Sequence, residues 1–310
     1  MNNFEKIIET SQIILTEGGI VERIRRNLSV ELDPFIAHAG LIYEEKGRDI
    51  LQSIFEEYFS TGKKYNVPIL SNAPTWRINP ERLEKSNYSK YKTINKDCVE
   101  FIKDIRKDFS SYSKLIFIGG IMACKGDAYN PKEALLEEEA EKFHIEQAES
   151  LANSGVDFIK AATLPALSEA YGMASAISRF NIPYILSFVI RAGGKLLDGT
   201  YIHKAIELID SRVDPKPIFY MINCVHPAIF TEAINKEIKY SNVINRLKGF
   251  QANTSAKSPE ELDNLTYLDT TEPDKFAELM ISIHKDYGIK ILGGCCGSDN
   301  RHINEIAKRI

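Results

Sequence analysis

The sequence predicts an α/β fold in which eight parallel strands close into a (β/α)8 barrel, also called a TIM barrel. Eight short apolar runs are spaced along the 310 residues, and longer amphipathic segments lie between them. Strands that are buried on both faces, as in parallel sheets, are nearly all apolar. Regular alternation of strand and helix is typical of a parallel sheet, and eight repeats favour a closed barrel. An open doubly wound sheet is the alternative.

The eight candidate strands are short, apolar and rich in β-branched residues. They are Ile13–Thr16, Val67–Ser71, Leu115–Ile118, Phe158–Ala161, Tyr184–Phe188, Ile218–Ile222, Leu247–Gln251 and Ile289–Leu292. Short apolar runs alone do not distinguish a strand from a buried helix segment. The prediction therefore depends on their alternation with helical stretches.

Three segments between and after these runs predict helices. The first is Pro131–Asn153, which begins with an Asn-Pro pair suited to a helix N-terminus and is followed by Gly155, a suitable C-cap. Glu272–Asp286 and Asn300–Ile310 have the same amphipathic character. These helices would cover the outside of the barrel.

Two polar stretches, Asn79–Lys96 and Asn253–Thr271, predict loops on the barrel rim. No linker, low-complexity tract or change of composition divides the chain. We therefore expect a single domain covering residues 1–310.

The composition excludes several classes of function. A net charge of -4 and a pI near 6.0 argue against nucleic-acid binding, which normally needs a clustered basic excess. No apolar run reaches the roughly 18 residues of a membrane span, and the N-terminus does not resemble a signal peptide. Five cysteines, an odd number, favour a reducing cytoplasmic location in which grouped thiols bind metal or react.

Three cysteines follow predicted strands. Cys295 and Cys296 lie in a Gly-Gly-Cys-Cys-Gly block directly after the last apolar run, and Cys224 follows the sixth run. The C-terminal ends of barrel strands converge on one mouth, where such enzymes keep their active sites. The three thiols are therefore expected to meet, although they are far apart in the sequence.

Three sulfur ligands suit zinc, which favours tetrahedral coordination by thiolates, and they leave a fourth position open for a substrate. A thiol that enters this position loses its proton and becomes a nucleophile. Two alternatives remain for the adjacent pair, Cys295 and Cys296: a vicinal disulfide, or small buried residues at a crowded turn. Cys98 is expected in the core, whereas the role of Cys124, which follows the third strand, stays open.

The cysteine block at 293–297 and the Asn-Cys pair at 223–224 resemble the zinc signature of the homocysteine S-methyltransferase family. This family includes the betaine-dependent and S-methylmethionine-dependent enzymes and the homocysteine module of methionine synthase. Weaker matches occur in the expected order along the chain. They are Glu17–Gly19, Gly126–Tyr129, Gly155–Phe158, Gly199–Thr200 and His302–Ile303.

The resemblance implies a (β/α)8 barrel, a zinc ion held by Cys224, Cys295 and Cys296, and homocysteine bound to the zinc through its thiolate. The family's acidic residue after the first strand helps to hold the amino acid. Glu17 stands here in place of the usual aspartate.

The candidate substrate-binding residues are polar residues or glycines at strand ends. They are Glu17, Gly18, Gly19, Asn72, Thr163 and Asn223. Asn223 would orient the loop of Cys224. For Glu17 the alternative is an ordinary exposed glutamate before a glycine turn. For the asparagines and the threonine it is a turn role, since such side chains often satisfy backbone groups.

One position departs from the family pattern. The family has a glutamate before the threonine at the end of the fourth strand, where it binds the substrate's amino group, but Ala162 stands there in this chain. Loss of such a contact costs about 1.5–3 kcal/mol, or about tenfold to a hundredfold in affinity. Lys160 would suit a carboxylate rather than an ammonium, and the sequence leaves open which face of the strand it takes.

The leading hypothesis is a zinc-dependent S-methyltransferase that moves a methyl group from a sulfonium or betaine-type donor to the zinc-bound thiolate of homocysteine, giving methionine. A folate donor would imply a corrinoid-carrying module, for which the chain has no room. Ala162 motivates two alternatives: a methyltransferase for a different thiol, and a non-catalytic relative that binds zinc or a ligand. The expected partners are a small-molecule thiol and a methyl donor, and a homo-oligomer is left open.

Overall fold

The computed structural model, which describes residues 3–26, 29–237, 240–257 and 269–310, contains a closed barrel of eight parallel strands. The barrel strands are β1 (Ile14–Thr16), β2 (Ile69–Ala73), β3 (Ile116–Ala123), β4 (Phe158–Leu164), β5 (Tyr184–Phe188), β8 (Phe219–Val225), β9 (Leu247–Ala252) and β10 (Ile291–Gly294). Two short strands, β6 (Ile190–Arg191) and β7 (Lys195–Leu196), form an antiparallel hairpin beside it. The barrel order is β1–β10–β9–β8–β5–β4–β3–β2, with β1 paired to β2. The predicted (β/α)8 fold is confirmed.

The α-helices of the described residues surround this barrel. They are α1 (Asn3–Thr10), α2 (Val21–Arg25), α3 (Glu45–Tyr65), α4 (Pro80–Lys85), α5 (Ile94–Lys107), α6 (Glu137–Asn153), α7 (Leu167–Ser178), α8 (Ile202–Arg212), α9 (Pro227–Glu237), α10 (Ser241–Ile244), α11 (Pro273–Tyr287) and α12 (Asn300–Ala307). Short 3-10 segments cover Ala39–Tyr43, Ser110–Leu115 and Pro131–Glu133. Within the part of the chain that is described, no helix combines the length and the apolar character that crossing a bilayer requires.

The helix predicted from Pro131 begins later than expected. Asn130 does cap a turn, because its side chain accepts a hydrogen bond from the Lys132 amide, but that turn is the 3-10 segment Pro131–Glu133. The Glu133 carboxylate accepts hydrogen bonds from the Asp127 amide and the Asn130 side chain, which ties the turn to the preceding loop. The α-helix then begins at Glu137.

The stretch 79–96, predicted as a loop, contains helix α4 and the first turn of α5, so this prediction was partly wrong. Asn79 caps α4 by accepting a hydrogen bond from the Arg82 amide, and Pro80 occupies the first helical position. This is the same Asn-Pro signal that predicted a helix start at 130–131. In the other predicted loop, 253–271, residues 258–268 lie outside the described part of the chain, and its described residues form neither helix nor strand.

An apolar layer closes the N-terminal end of the barrel. Its members are Phe4, Ile8, Ile14, Leu70, Phe117, Phe158, Ile185, Phe219, Met221 and Ile291. Phe4 of α1 stacks on Phe158 with ring centroids 4.8 Å apart, so this first helix covers the barrel floor. The interior above this layer becomes polar towards the C-terminal strand ends, where the predicted site residues lie.

Candidate metal centre

The three predicted cysteines come together at the C-terminal mouth of the barrel. Cys224 lies near the end of β8, and Cys295 and Cys296 follow β10. Their Sγ atoms all lie within 4.8 Å of one another, and the Cys224 and Cys295 Sγ atoms are 2.7 Å apart. All are free thiols, so Cys295 and Cys296 do not form the vicinal disulfide that the sequence allowed. Three thiols at these distances are a group that could hold a metal ion.

A β-bulge turns Cys224 towards this cluster. The register between β8 and β9 shifts between Asn223 and Val225, and Cys224 has a φ of 57°. A left-handed conformation is uncommon for a residue other than glycine, and bulges of this kind redirect side chains next to active sites. The irregular strand end therefore sets the direction of the thiol.

The backbone around the cysteine pair is held by the end of β9. The Cys295 amide donates to the Ala252 carbonyl at 2.7 Å, and the Cys296 amide donates to the Asn253 side chain at 3.2 Å. The Thr254 amide donates to the Cys296 carbonyl at 3.1 Å. The backbone of the cysteine pair is thus tied to the last residue of β9 and to the two residues that follow it.

The Gly18–Gly19 turn after β1 lies directly against the cysteine turn. The Gly19 amide donates to the Ser298 carbonyl at 3.1 Å, and a Cβ at this position would lie 2.8 Å from the Cys295 carbonyl oxygen. Only a glycine permits this approach. The turn supports the cysteine pair, and the predicted contact of Gly18 and Gly19 with substrate remains a prediction.

The electrostatics of the cluster favour one ionised thiol. Hydrogen bonds from Cys295 and Cys296, and weaker ones from Tyr129 and Asn223, hold the pKa of Cys224 well below its usual value. Hydrogen bonding to Cys224 raises the pKa of Cys295 and Cys296. Metals bind the thiolate form, so a cluster that stabilises a thiolate has the chemistry of a metal-binding site.

Asn223 links three strand ends below the cluster. Its Oδ1 accepts from the Thr163 amide at 3.1 Å and the Ser187 hydroxyl at 2.6 Å. Its Nδ2 donates to Thr163 Oγ1 at 2.9 Å and lies 3.3 Å from the Cys224 sulfur. Thr163 has a φ of 64° and lies in an irregular stretch of β4. One buried amide therefore supports both Thr163 and Cys224.

Two oppositely charged side chains lie buried in the same interior. Asn72 donates to Glu17 Oε1 at 2.5 Å, whereas Glu17 Oε2 is buried without a hydrogen-bond partner among the described residues. Lys160 donates to the side-chain carbonyl of Gln251 on β9. Burial raises the pKa of Glu17 and lowers the pKa of Lys160, because it makes the ionised form of each side chain less favourable than it is in water.

The structure also identifies residues that sequence reasoning missed. Gln251 and Asn253 contact Lys160 and Cys296, and no role was assigned to either from the sequence. Tyr129 lies beside the thiols, and the negative charge of Cys224, together with burial, raises its pKa. All three lie at or after the C-terminal end of a barrel strand. This position is the feature of the sequence that could have indicated a place in the site.

The two remaining cysteines are not part of the cluster. Cys98 is fully buried against the carbonyls of Ala39 and Pro74, so its predicted core position is confirmed. Cys124 contacts the Gly126 carbonyl, and burial raises the pKa of its thiol to about 12. Such a thiol is inert at neutral pH.

Comparisons with known proteins show which sequences and folds this chain resembles. The family model described as "Homocysteine S-methyltransferase" matches residues 14–310. The homocysteine S-methyltransferase YbgG of Bacillus subtilis (strain 168) is 20% identical to this chain over 323 aligned residues, covering 99% of this chain and 97% of its own. Homocysteine S-methyltransferase 2 of Arabidopsis thaliana is 28% identical over 56% of this chain and 51% of its own length.

The fold is also shared with solved structures of the homocysteine methyltransferase MmuM from Escherichia coli. Its oxidised form superposes with a TM-score of 0.79 at 17% identity, covering 100% of both chains. Its metallated form gives a TM-score of 0.78 at 16% identity, again over 100% of both chains. At this level of identity the superpositions establish the fold.

Proposed function

The chain belongs to the homocysteine S-methyltransferase family, and from this premise we propose that it transfers a methyl group from a sulfonium or betaine-type donor to the thiol of homocysteine in a zinc-dependent reaction, giving methionine. The family makes it a methyltransferase. The observation that carries the zinc proposal is the cluster formed by Cys224, Cys295 and Cys296.

The donor set fits zinc. Three free thiols from two strand ends match the ligands that this ion prefers, and three protein ligands are typical of a catalytic site that keeps one position for substrate. When bound, zinc lowers the pKa of the substrate thiol, so that the nucleophilic thiolate is present near neutral pH. Grouped free thiols also suit the reducing cytoplasm, which is our proposed location.

The protein's own contribution to the reaction is positioning. The methyl carbon forms a bond to the acceptor sulfur while its bond to the donor's sulfur or nitrogen breaks, and the bonding electron pair stays on the donor atom, so that the sulfonium or quaternary ammonium centre becomes a neutral thioether or tertiary amine. An in-line displacement of this kind mainly requires the two reactants to be held at the right distance and angle. Asn223 orients the Cys224 loop, and the Gly18–Gly19 turn fixes the cysteine pair.

Glu17 is our proposed partner for the ammonium group of homocysteine. Its Oε1 is held by Asn72, and its buried Oε2 has no partner within the described residues, so this oxygen is available to accept a hydrogen bond. An ionised acceptor of this kind contributes about 1.5–3 kcal/mol. Glu17 is then the carboxylate that remains for the ammonium in this chain, because Ala162 cannot supply the one that the family pattern has at its position.

The proposal is tested by isothermal titration of zinc-loaded, reduced protein with homocysteine, in buffers of different ionisation enthalpy. We expect binding with release of about one proton, since the thiol ionises as it binds. The Cys296→Ala variant serves as the comparison, and it should neither bind homocysteine nor transfer methyl groups. Undiminished methyl transfer by this variant would overturn the proposal.

Ala162 favours one second candidate, a thiol without a free amino group. The discriminating comparison is between homocysteine and N-acetylhomocysteine as acceptors. Preference for free homocysteine contradicts this candidate, whereas preference for the acylated thiol supports it. Tight zinc binding without turnover of any thiol and donor would instead indicate a non-catalytic relative.

A further inference from the structure

Lys160 is buried inside the barrel, where the sequence could not place it. Its side chain is 3% exposed, and it reaches across the interior from β4 to Gln251 on β9, three strands away in the barrel order. Glu17, which follows β1 on another side of the same interior, is 5% exposed. The two side chains form no direct ion pair, although both lie within the described residues.

Neither charge is fully satisfied by the protein. A lysine ammonium has three donors, and Lys160 makes one hydrogen bond, to a neutral amide carbonyl. Glu17 Oε2 accepts none within the described residues. Glu17 and Lys160 attract each other across the interior, but they form no direct ion pair. Burying charges without a full set of hydrogen bonds is costly, so a ligand that supplies the missing hydrogen bonds would be favoured between them.

The side chains between Lys160 and the mouth are small. In the register of β3 and β4, Ile121 pairs with Lys160. Ala123 pairs with Ala162 two residues closer to the C-terminal strand ends. Ile121 is partly exposed, whereas Ala123 and Ala162 are buried. The two alanines leave little side-chain volume between the ammonium and the strand ends.

We propose that Lys160 is a specificity-determining residue that binds the carboxylate of the acceptor thiol. The acceptor is then a zwitterion held between a cation and an anion, with its carboxylate on Lys160 and its ammonium on Glu17. This inference rests on the proposed function and deepens it, because it assigns the group that selects an amino acid over a simple thiol.

The test is direct binding of three thiols to the zinc-loaded protein, without any methyl donor. The thiols are homocysteine, 4-sulfanylbutanoate, which lacks the amino group, and 3-aminopropane-1-thiol, which lacks the carboxylate. For Lys160→Met we expect about tenfold to a hundredfold weaker binding of the two carboxylate-bearing thiols and unchanged binding of the third. The matched control is Lys248→Met, which replaces a partly exposed lysine on β9.

Equal weakening of all three thiols in Lys160→Met, or no weakening at all, would overturn the role of Lys160. If this variant does not fold, the wild-type protein decides: 3-aminopropane-1-thiol should bind at least about tenfold more weakly than homocysteine, and equal affinity overturns the inference. Failure of the wild type to bind any of the thiols would instead overturn the proposed function and this inference with it.

Discussion

Asn223 and Thr163 form a reciprocal pair between two irregular strand ends. The Thr163 amide donates to Asn223 Oδ1 at 3.1 Å, and Asn223 Nδ2 donates to Thr163 Oγ1 at 2.9 Å. Thr163 and Cys224 both have left-handed backbone conformations that L-residues rarely adopt. Strained backbone of this kind persists only where its surroundings hold it. The Asn223 amide provides that support for the Cys224 thiol.

The first prediction follows from this pair. Asn223→Ala removes the hydrogen bonds to Thr163 and the contact with the Cys224 sulfur, so we expect zinc affinity to fall about tenfold to a hundredfold. The folded chain should also lose about 1–3 kcal/mol of stability, because the buried backbone amide of Thr163 is left without an acceptor. Zinc affinity is measured by competition with a chelator. Asn181→Ala, at an exposed position before β5, is the control and should bind zinc normally.

A second prediction separates ligand cysteines from structural ones. Cys224→Ser, Cys295→Ser and Cys296→Ser should each lose bound zinc, because only two of the three thiolate ligands remain. Cys124→Ala should keep about one zinc per chain, since its thiol lies outside the cluster and burial raises its pKa to about 12. Metal content of the purified proteins, measured by mass spectrometry, gives the answer. Zinc retained in Cys295→Ser would contradict the assignment.

A third prediction concerns pH and stability. His38 is buried, its Nδ1 has no hydrogen-bond partner in the described chain, and burial lowers its pKa from 6.5 to about 4. Below pH 6.5 the unfolded chain takes up a proton at this histidine and the folded chain does not. The free energy of unfolding is therefore unaffected by His38 above pH 6.5. As the pH falls from 6.5 to about 4, this histidine lowers the free energy of unfolding by about 3 kcal/mol in total.

The measurement is urea unfolding of the wild type and of His38→Gln at a series of pH values. Carboxylates titrate in both proteins, so only the difference between the two curves reports on His38. We expect the wild type to lose more stability than the variant as pH falls. Parallel curves would show that His38 is not held neutral by burial.

The barrel strands could be predicted because their signal is local. Each is a short apolar run, and each predicted run overlaps an observed barrel strand. Their exact ends could not be predicted, because they depend on neighbouring strands. The last strand was predicted as Ile289–Leu292 but is Ile291–Gly294, since Gly293 and Gly294 pair with Gln251 and Ala252 of β9. Two glycines carry no strand signal of their own.

The meeting of the three cysteines could also be predicted, because barrel topology brings C-terminal strand ends to one mouth. The side on which Lys160 lies could not. Its direction depends on which face of β4 points inward, and its partner Gln251 lies on a strand that is not adjacent to β4. The bulge at Cys224 interrupts the alternation of side chains in the same way. Sequence reasoning therefore located the mouth but not the contacts within it.

The last prediction tests the contact between the β1 turn and the cysteine turn. In Gly19→Ala the new Cβ would lie 2.8 Å from the Cys295 carbonyl oxygen and 3.1 Å from that of Ser298. Both are backbone atoms that cannot move aside alone, so the cysteine turn must shift, at a cost of about 1–3 kcal/mol. We expect weaker zinc binding together with a lower Tm.

Gly288→Ala is the matched control for this variant. Gly288 has a φ of 68° and nothing within 4 Å of an added Cβ, so an alanine there strains only the local backbone, by about 1–2 kcal/mol. Its Tm should fall while its zinc affinity stays that of the wild type. If both variants lost stability and neither lost zinc affinity, the contact between Gly19 and Cys295 would not position the thiol. Selective loss in Gly19→Ala would show that the first strand's turn helps to hold a cysteine nearly the whole chain away in sequence.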